Sequence, residues 1–243
     1  MMDAIRIQGL SKRYKDTLAV DNLSLTVREG ELVSLLGVNG AGKTTTVKML
    51  TCLTAPTSGE AYVLGKSIAE DAMDVKRVIA VSPQETAVAG GLTVKENLEL
   101  MVGAHGLGRE LGRERIAEIS ERLSLGNVMN KRAARLSGGW QRRLSIAMAL
   151  ISHPRVLFLD EPTLGLDVLA RAELWDVVRS LRGDVTVVLT THYMEEAEAL
   201  SDRVAIMCRG RLLAFDTVRS IKEKEGAASL EEAFISVVRR AER

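Results

Sequence analysis

The sequence predicts an α/β protein: a mainly parallel sheet with helices on its faces, an antiparallel β subdomain at the N-terminal end, and an α-helical subdomain inserted in the middle. Three observations predict it. Two runs near the start alternate apolar and polar residues, as antiparallel strands with one wet face do. From about residue 154 onward, short apolar runs alternate with helical stripes, the pattern of strands laid parallel through crossover helices. Between the two, residues 84–153 carry helix signals and no strand signal.

The elements follow in chain order. Ile5, Ile7 and Gly9 alternate with polar neighbours, and Leu23-Ser24-Leu25-Thr26-Val27 does the same. Glu31-Leu32-Val33-Ser34-Leu35-Leu36 is a nearly unbroken apolar run ending at Gly37, which reads as a buried strand feeding a glycine-rich loop. A helix follows from about Lys43, with Val47, Leu50 and Leu53 on one side. Thr93-x-x-Glu96 is a capping-box pattern that opens a helix, and Ile116, Ile119 and Leu123 mark another. Leu144, Ala147, Met148 and Ile151 stripe a helix that begins after Ser137-Gly138-Gly139. Val156 to Leu159, Val185 to Leu189 and Val204 to Met207 read as strands, with a helix stripe of Leu174, Val177, Val178 and Leu181 among them. Ser229-x-x-Glu232 caps a last helix striped by Leu230, Ala233, Phe234 and Val237. The expected organisation is one domain: residues 1–83 and 154–215 form the α/β core with its β subdomain, 84–153 the helical subdomain, and 216–243 a helical tail.

Composition narrows the function classes. At 243 residues, 46% hydrophobic and 27% charged, the chain is an ordinary globular protein with ample core. A formal net charge of +1 offers no electrostatic handle for nucleic acid, so none is expected as a partner. The pairs Arg142-Arg143 and Arg239-Arg240 read as solvated helix faces. Cys52 and Cys208 sit in apolar stretches without a CxxC pattern, which predicts buried free thiols rather than a metal or redox pair. Met1 to Ser11 has no signal-peptide pattern, and no apolar run approaches the length of a membrane span. Any membrane-spanning work is therefore expected from another chain. His105 and His153 belong to no constellation and are expected at the surface or in loops; Trp175 and the methionines read as packing.

Two motifs carry phosphate chemistry. Gly37-Val38-Asn39-Gly40-Ala41-Gly42-Lys43-Thr44 matches G-x-x-x-x-G-K-[ST] between a strand and a helix. Glycines let successive backbone N–H groups converge on phosphate, and the helix N-terminus adds partial positive charge. Lys43 is placed to reach β- and γ-phosphates, and the Thr44 hydroxyl to ligate Mg²⁺. Asn39 to Thr45 are the expected cradle. The second motif is Val156-Leu157-Phe158-Leu159-Asp160-Glu161. A carboxylate ending a buried strand needs a cation, so Asp160 is read as the Mg²⁺ partner, and Glu161 as the group that polarises attacking water. A third element, Leu136-Ser137-Gly138-Gly139-Trp140-Gln141 at a helix start, is a second phosphate-ready nest.

With that third element the sequence resembles the nucleotide-binding subunits of the ABC ATPase family, over Tyr14 to His192. Leu136-Ser137-Gly138-Gly139 with Gln141 is similar to the family signature. The resemblance implies a RecA-like P-loop NTPase core, and ATP held with Mg²⁺. It further implies a head-to-tail pair of subunits in which Ser137, Gly138 and Gly139 of one close on the ATP of the other. It also assigns roles: Tyr14 stacks on adenine, Gln84 touches metal and water and joins the core to the helical subdomain, Asp167 crosses the dimer interface, and His192 contacts the γ-phosphate. Two residues depart from the pattern. Val38 stands where proline is usual, and Trp140 where a smaller or more flexible residue is common.

Thr191-His192-Tyr193-Met194-Glu195-Glu196-Ala197-Glu198 and Ser229-Leu230-Glu231-Glu232-Ala233-Phe234 are similar to the ABC-2-type exporter branch. That implies an ATPase subunit that drives solute efflux through a separate integral-membrane permease, held peripherally on the cytoplasmic face of the membrane. The rival readings are a non-transport ABC ATPase, such as a cluster-assembly type, and a plain P-loop kinase or GTPase. The last leaves Leu136 to Gln141 and His192 unexplained.

Overall fold

The alternating runs near the start become two long antiparallel strands, β1 (Asp3–Tyr14) and β2 (Thr17–Arg28), in a computed structural model that describes residues 3–241. Ile5, Ile7 and Leu10 turn inward with Leu23, Leu25 and Val27, while the residues between them face water. β4 (Ser58–Val63) and β5 (Lys66–Ser67) complete a four-stranded antiparallel sheet in the order β2-β1-β4-β5.

The unbroken apolar runs form a second sheet. It contains β3 (Leu32–Leu36), β6 (Ile79–Ser82), β7 (Val156–Asp160), β8 (Thr186–Thr191), β9 (Arg203–Cys208) and β10 (Arg211–Asp216), in the order β10-β9-β3-β8-β7-β6. All neighbours pair parallel except the edge strand β10. Every residue of β3, β7 and β8 is buried, as strands covered on both faces must be, which is why their sequences do not alternate. In register, Leu36 faces Thr191 and Asp160 faces Thr190. The loops after β3, β7 and β8 therefore open at one edge of the sheet, the place where open α/β sheets bind ligands.

Helices α1 (Lys43–Leu50) and α2 (Ala72–Val78) lie between the sheets. Residues 84–153 hold α3 (Val94–Ala104), α4 (Arg109–Arg122) and α5 (Gly138–Leu150); among the described residues their only β feature is a Thr93–Arg132 bridge. The Thr93 capping box is formed: Glu96 N–H donates to Thr93 Oγ1 at 3.2 Å, and Thr93 N–H to Glu96 Oε2 at 2.7 Å. Then come α6 (Val168–Ser180), α7 (Met194–Leu200), α8 (Val218–Glu225) and α9 (Leu230–Ala241). One core joins α3–α6 to the sheet, a second lies under the antiparallel sheet and α1, and a third seats α9 through Leu230, Ala233, Phe234 and Val237 against Val204 and Ile206. Residues 1, 2, 242 and 243 of the expected divisions lie outside the described residues.

Several expectations need correction. The stripe placed on α1 stops at Leu50: Cys52 takes a left-handed φ of 55°, and Leu53, beyond the helix end, is 68% exposed. Cys52 is only half-buried, its Sγ–H directed to the Ile68 carbonyl at 3.4 Å, and burial raises its thiol pKa; Cys208 is buried. Arg142 and Arg143 are not on a solvated face but 5% and 9% exposed, because α5 is enclosed on all sides from Arg142 to Leu150. β4, β5, β6 and β10 go beyond the sequence reading: β5, β6 and β10 lie at sheet edges, and β4, inside its sheet, opens with three exposed residues, so none shows a clear apolar run. His105 and His153 are exposed, and Trp175 packs on the first core while its indole N–H donates to Glu196 Oε1 at 3.2 Å.

Candidate active site

The glycine-rich loop leaves β3 at Gly37 and enters α1 through Gly42. Both glycines are required by close approach. A Cβ on Gly37 would lie 2.4 Å from the Met207 carbonyl oxygen, and one on Gly42, whose φ is 99°, would lie 2.5 Å from the Ala19 carbonyl oxygen. The loop is thereby drawn tight between β9 and β2, with the N-terminus of α1 at its floor. Asn39 to Thr45 line an open cleft of about 660 Å³, a volume on the scale of a nucleotide site. Lys43 lies buried beneath the loop, its Nζ donating to the Gly37 carbonyl at 2.6 Å and standing 3.4 Å from Glu161 Oε1.

The acidic pair closes one end of this cleft. Asp160 ends β7 inside the sheet, where its Oδ1 accepts the hydroxyls of Thr44, at 3.2 Å, and of Thr190. Glu161 follows with a φ of 49°, left-handed backbone that a non-glycine residue before Pro162 rarely adopts. The turn is held because Glu161 N–H donates to Thr190 Oγ1 at 3.0 Å and to the Thr190 carbonyl at 3.2 Å. It aims the carboxylate back into the cleft, where Oε2 meets His192 Nδ1 at 2.7 Å. Gln84, Glu161 and His192 thus share the cleft with the glycine-rich loop.

Ser137, Gly139 and Asp167 do not. They line a separate cavity of about 230 Å³ with Trp140, Arg143 and Glu173. Ser137 is the N-cap of α5 and is exposed, and its side chain makes no capping bond. Gly138, beside Leu166, is exposed at the same turn. Asp167 caps α6 by accepting Ala170 N–H at 2.9 Å. Trp140 is half-buried under the Arg143 guanidinium, 4.5 Å from its ring centroid, and Arg143 also pairs with Glu173 at 3.1 Å. Val38 is 52% exposed and outside the cleft lining.

Tyr14 is 44% exposed at the end of β1, with Lys12 over its ring, and does not line the cleft; Thr17, Leu18 and Ala19 of the same hairpin do. Three polar residues of the site escaped the sequence reading. Thr190 follows the strand run Val185 to Leu189 and leads into His192, with no role of its own read from the sequence. Arg209 belongs to none of the sequence motifs. Arg142 was taken for a solvated residue, whereas its guanidinium donates to the carbonyls of Pro83, Gln84 (2.6 Å) and Glu161 (3.4 Å), tying α5 to both loops. Burial lowers the pKa of Arg142, opposed by the carboxylates of Asp160 and Glu196.

Residues 20–164 match the family described as ABC transporter. The chain belongs to the ABC transporter family. Among its relatives, the daunorubicin resistance ATP-binding protein DrrA3 of Streptomyces coeruleorubidus is 44% identical over 92% of this chain and 71% of its own length. The daunorubicin/doxorubicin resistance ATP-binding protein DrrA of Streptomyces peucetius is 42% identical over 92% and 68%. The human phospholipid-transporting ATPase ABCA3 is 42% identical over 93% of this chain, which spans only 14% of that protein. Among solved structures, an ATP-binding subunit of an ABC transporter aligns with a TM-score of 0.84 at 28% identity, covering 97% of this chain and 99% of the other. The ATP-binding cassette MJ0796, in a dimeric post-hydrolysis state bound to ADP and Pi, aligns at 0.77 and 28%, covering 88% and 98%. The chain is accordingly an ATP-binding ABC ATPase, and the plain kinase or GTPase reading is set aside. No helix among the described residues is long and apolar enough to cross a membrane.

Proposed function

We propose that this ABC ATPase powers solute efflux through a separate integral-membrane permease, held on the cytoplasmic face of the membrane as one of a head-to-tail pair. The observation that carries the proposal is the separation of two phosphate-ready faces on one chain. The Asn39–Thr45 cradle lines one cavity, and Ser137, Gly139 and Asp167 line another, so the second face needs a second subunit's nucleotide to meet. The drug-resistance relatives, matched over most of their length, favour export as the direction of transport.

The residues divide the work. Asn39 to Thr45 hold the phosphates, and Lys43 neutralises their charge from below. Thr44 and Asp160 converge at 3.2 Å as an all-oxygen donor pair, with Gln84 beside them. That set fits Mg²⁺, which keeps waters and phosphate oxygens as its remaining ligands. When bound, the ion neutralises charge developing on the transferred phosphoryl group. Glu161 orients and polarises water, and His192 holds the Glu161 carboxylate at 2.7 Å and faces the γ-phosphate end. Tyr14 is assigned to the adenine and Asp167 to the partner's side. The division into α/β core, helical subdomain 84–153 and tail gives the permease a mobile surface in the helical part, moved through the Gln84 loop.

The test is Glu161→Gln. ATP binding persists, turnover falls by roughly 10²-fold or more, and the protein elutes as a dimer with ATP while the parent stays monomeric. Turnover near the parent rate removes Glu161 from its role. For transport, tagged protein is purified from detergent-solubilised membranes; recovery without an integral-membrane partner defeats the efflux reading.

A further inference from the structure

The hairpin between β9 and β10 ends in a two-residue loop, Arg209-Gly210, because Cys208 pairs directly with Arg211. Both loop residues have positive φ, 47° and 80°. Such tight hairpin turns select Asn-Gly or Asp-Gly, and only a few per cent of non-glycine residues take this conformation. Arginine is a poor choice for the turn itself.

The turn is also fixed to the nucleotide loop. Gly210 N–H donates to the Ala41 carbonyl at 3.1 Å, and the Gly210 carbonyl accepts Asp21 N–H at 2.8 Å. A Cβ on Gly210 would lie 2.9 Å from the Ala19 carbonyl oxygen. The nucleotide loop, β2 and the hairpin thus meet at one backbone junction, and Arg209 lines the cleft from it beside Thr17, Leu18 and Ala19. Asp21, the acid on the facing strand, pairs with Arg211 at 2.7 Å. Along the sheet edge, β9, which leads to Arg209, ends on one side of the glycine-rich loop, and β8 and β7, which lead to His192 and Glu161, end on the other. The phosphate chain runs from that second side across Asn39–Thr45, so the nucleoside and α-phosphate come to the side that Arg209 lines.

We infer that Arg209 is a nucleotide-binding residue, its guanidinium taking the α-phosphate and ribose of ATP at the rim formed by the β9–β10 turn. This rests on the reading of the cleft as the ATP site. A planar cation with several donors suits phosphate oxygens, and its long stem reaches from a turn locked against the loop. The contact falls on the part shared by ATP and ADP, so it holds both alike.

The test compares the parent with Arg209→Asn, Arg209→Lys and, as a control on the site, Lys43→Ala. Fluorescent ATP and ADP titrations give Kd at two salt concentrations, and thermal melting reports the fold. Asn-Gly is the residue pair this turn favours, so Arg209→Asn keeps or raises the melting temperature. Its Kd rises about ten- to a hundred-fold for ATP and ADP by the same factor, the range of a lost charge-assisted hydrogen bond. The salt dependence flattens, and Lys restores part of the affinity. Unchanged Kd for both nucleotides in Arg209→Asn overturns the inference while leaving the site reading intact. Weakened ATP with unchanged ADP also overturns it, by moving the contact to the γ-phosphate. Loss of affinity only together with a fall in melting temperature, without rescue by Lys, makes Arg209 a structural turn residue and overturns it too. If Lys43→Ala binds as the parent does, the site reading itself fails.

Discussion

Thr190 is the least conspicuous polar residue near the acidic pair and the one whose removal is most informative. It is fully buried in β8, its hydroxyl donates to Asp160 Oδ1, and the same oxygen accepts Glu161 N–H at 3.0 Å. Thr190→Val keeps the shape of the side chain and deletes both bonds. The bond to a carboxylate is worth about 1.5–3 kcal/mol. Glu161 N–H retains the Thr190 carbonyl at 3.2 Å, so its share is smaller, about 0.5–1 kcal/mol. The expected destabilisation is about 2–4 kcal/mol, a fall of roughly 4–8 °C in melting temperature for a domain of this size. Activity falls further than stability accounts for, because Asp160 and Glu161 lose their common anchor, and a displacement of about 1 Å costs on the order of 10²-fold in rate. Thr190→Ser keeps the hydroxyl and loses one methyl, about 1 kcal/mol, so it retains most of the turnover. The assay is steady-state ATP turnover with thermal melting of the three proteins. If Val and Ser are equally impaired, the methyl and not the hydroxyl matters. If Val matches the parent in both readouts, the anchoring argument is wrong.

Two further predictions concern groups away from the nucleotide. Glu196 is buried, and its pKa is raised by that burial and by the Glu161 charge, against the Trp175 indole N–H that its Oε1 accepts. The folded state therefore holds this proton at pH values where the unfolded chain has released it. Stability falls as pH climbs from the ordinary glutamate value of 4.5 toward the raised one, at up to about 1.4 kcal/mol per pH unit for this group. Glu196→Gln can still accept the Trp175 N–H and does not ionise, so its stability advantage over the parent widens with pH; an advantage flat from pH 4.5 to 8 disproves the assignment. Phe234→Ala in α9, at 6% exposure in the third core, is expected to cost about 3–5 kcal/mol and to lower a single cooperative melting transition; a separate early transition for the tail contradicts its docking on β9.

The parallel strands were legible because burial on both faces favours apolar residues, and β3, β7 and β8 are apolar except at Ser34, Asp160, Thr186, Thr190 and Thr191. Edge strands carry no such constraint: β10 is half-buried almost throughout, so Arg211 to Asp216 shows no pattern to read. Within the site, residues whose chemistry is local to a motif were visible, including Lys43, Thr44, Asp160 and Glu161. Residues whose role depends on a contact far along the chain were not. Thr190 reaches Asp160 across 30 positions, Arg142 reaches the Gln84 carbonyl across 58, and neither partner lies in a motif with the other. Burial of Arg142 was hidden for a related reason. A helical stripe records one face, and α5 is enclosed on its other faces by elements distant in sequence.

The same long-range contacts decide how motion can pass through the molecule. Asp160 and Glu161 are fixed from β8 by Thr190, so they belong to the sheet. The Ser137 turn belongs to α5. Arg142, one turn into α5, donates to carbonyls on both sides of that division: Pro83 and Gln84 in the loop after β6, and Glu161 at the end of β7. It is buried and costly to leave without acceptors. A rotation of α5 that left the sheet in place would strip those donors, whereas one that carried the Gln84 loop along would keep two of the three. The second route loses fewer bonds, so a rotation of α5 is expected to carry the Gln84 loop with it, with the hinge on their sheet side. Such a rotation would reposition the Ser137 face and the Gln84 side chain together, relative to the Asn39–Thr45 loop and the acidic pair held to the sheet.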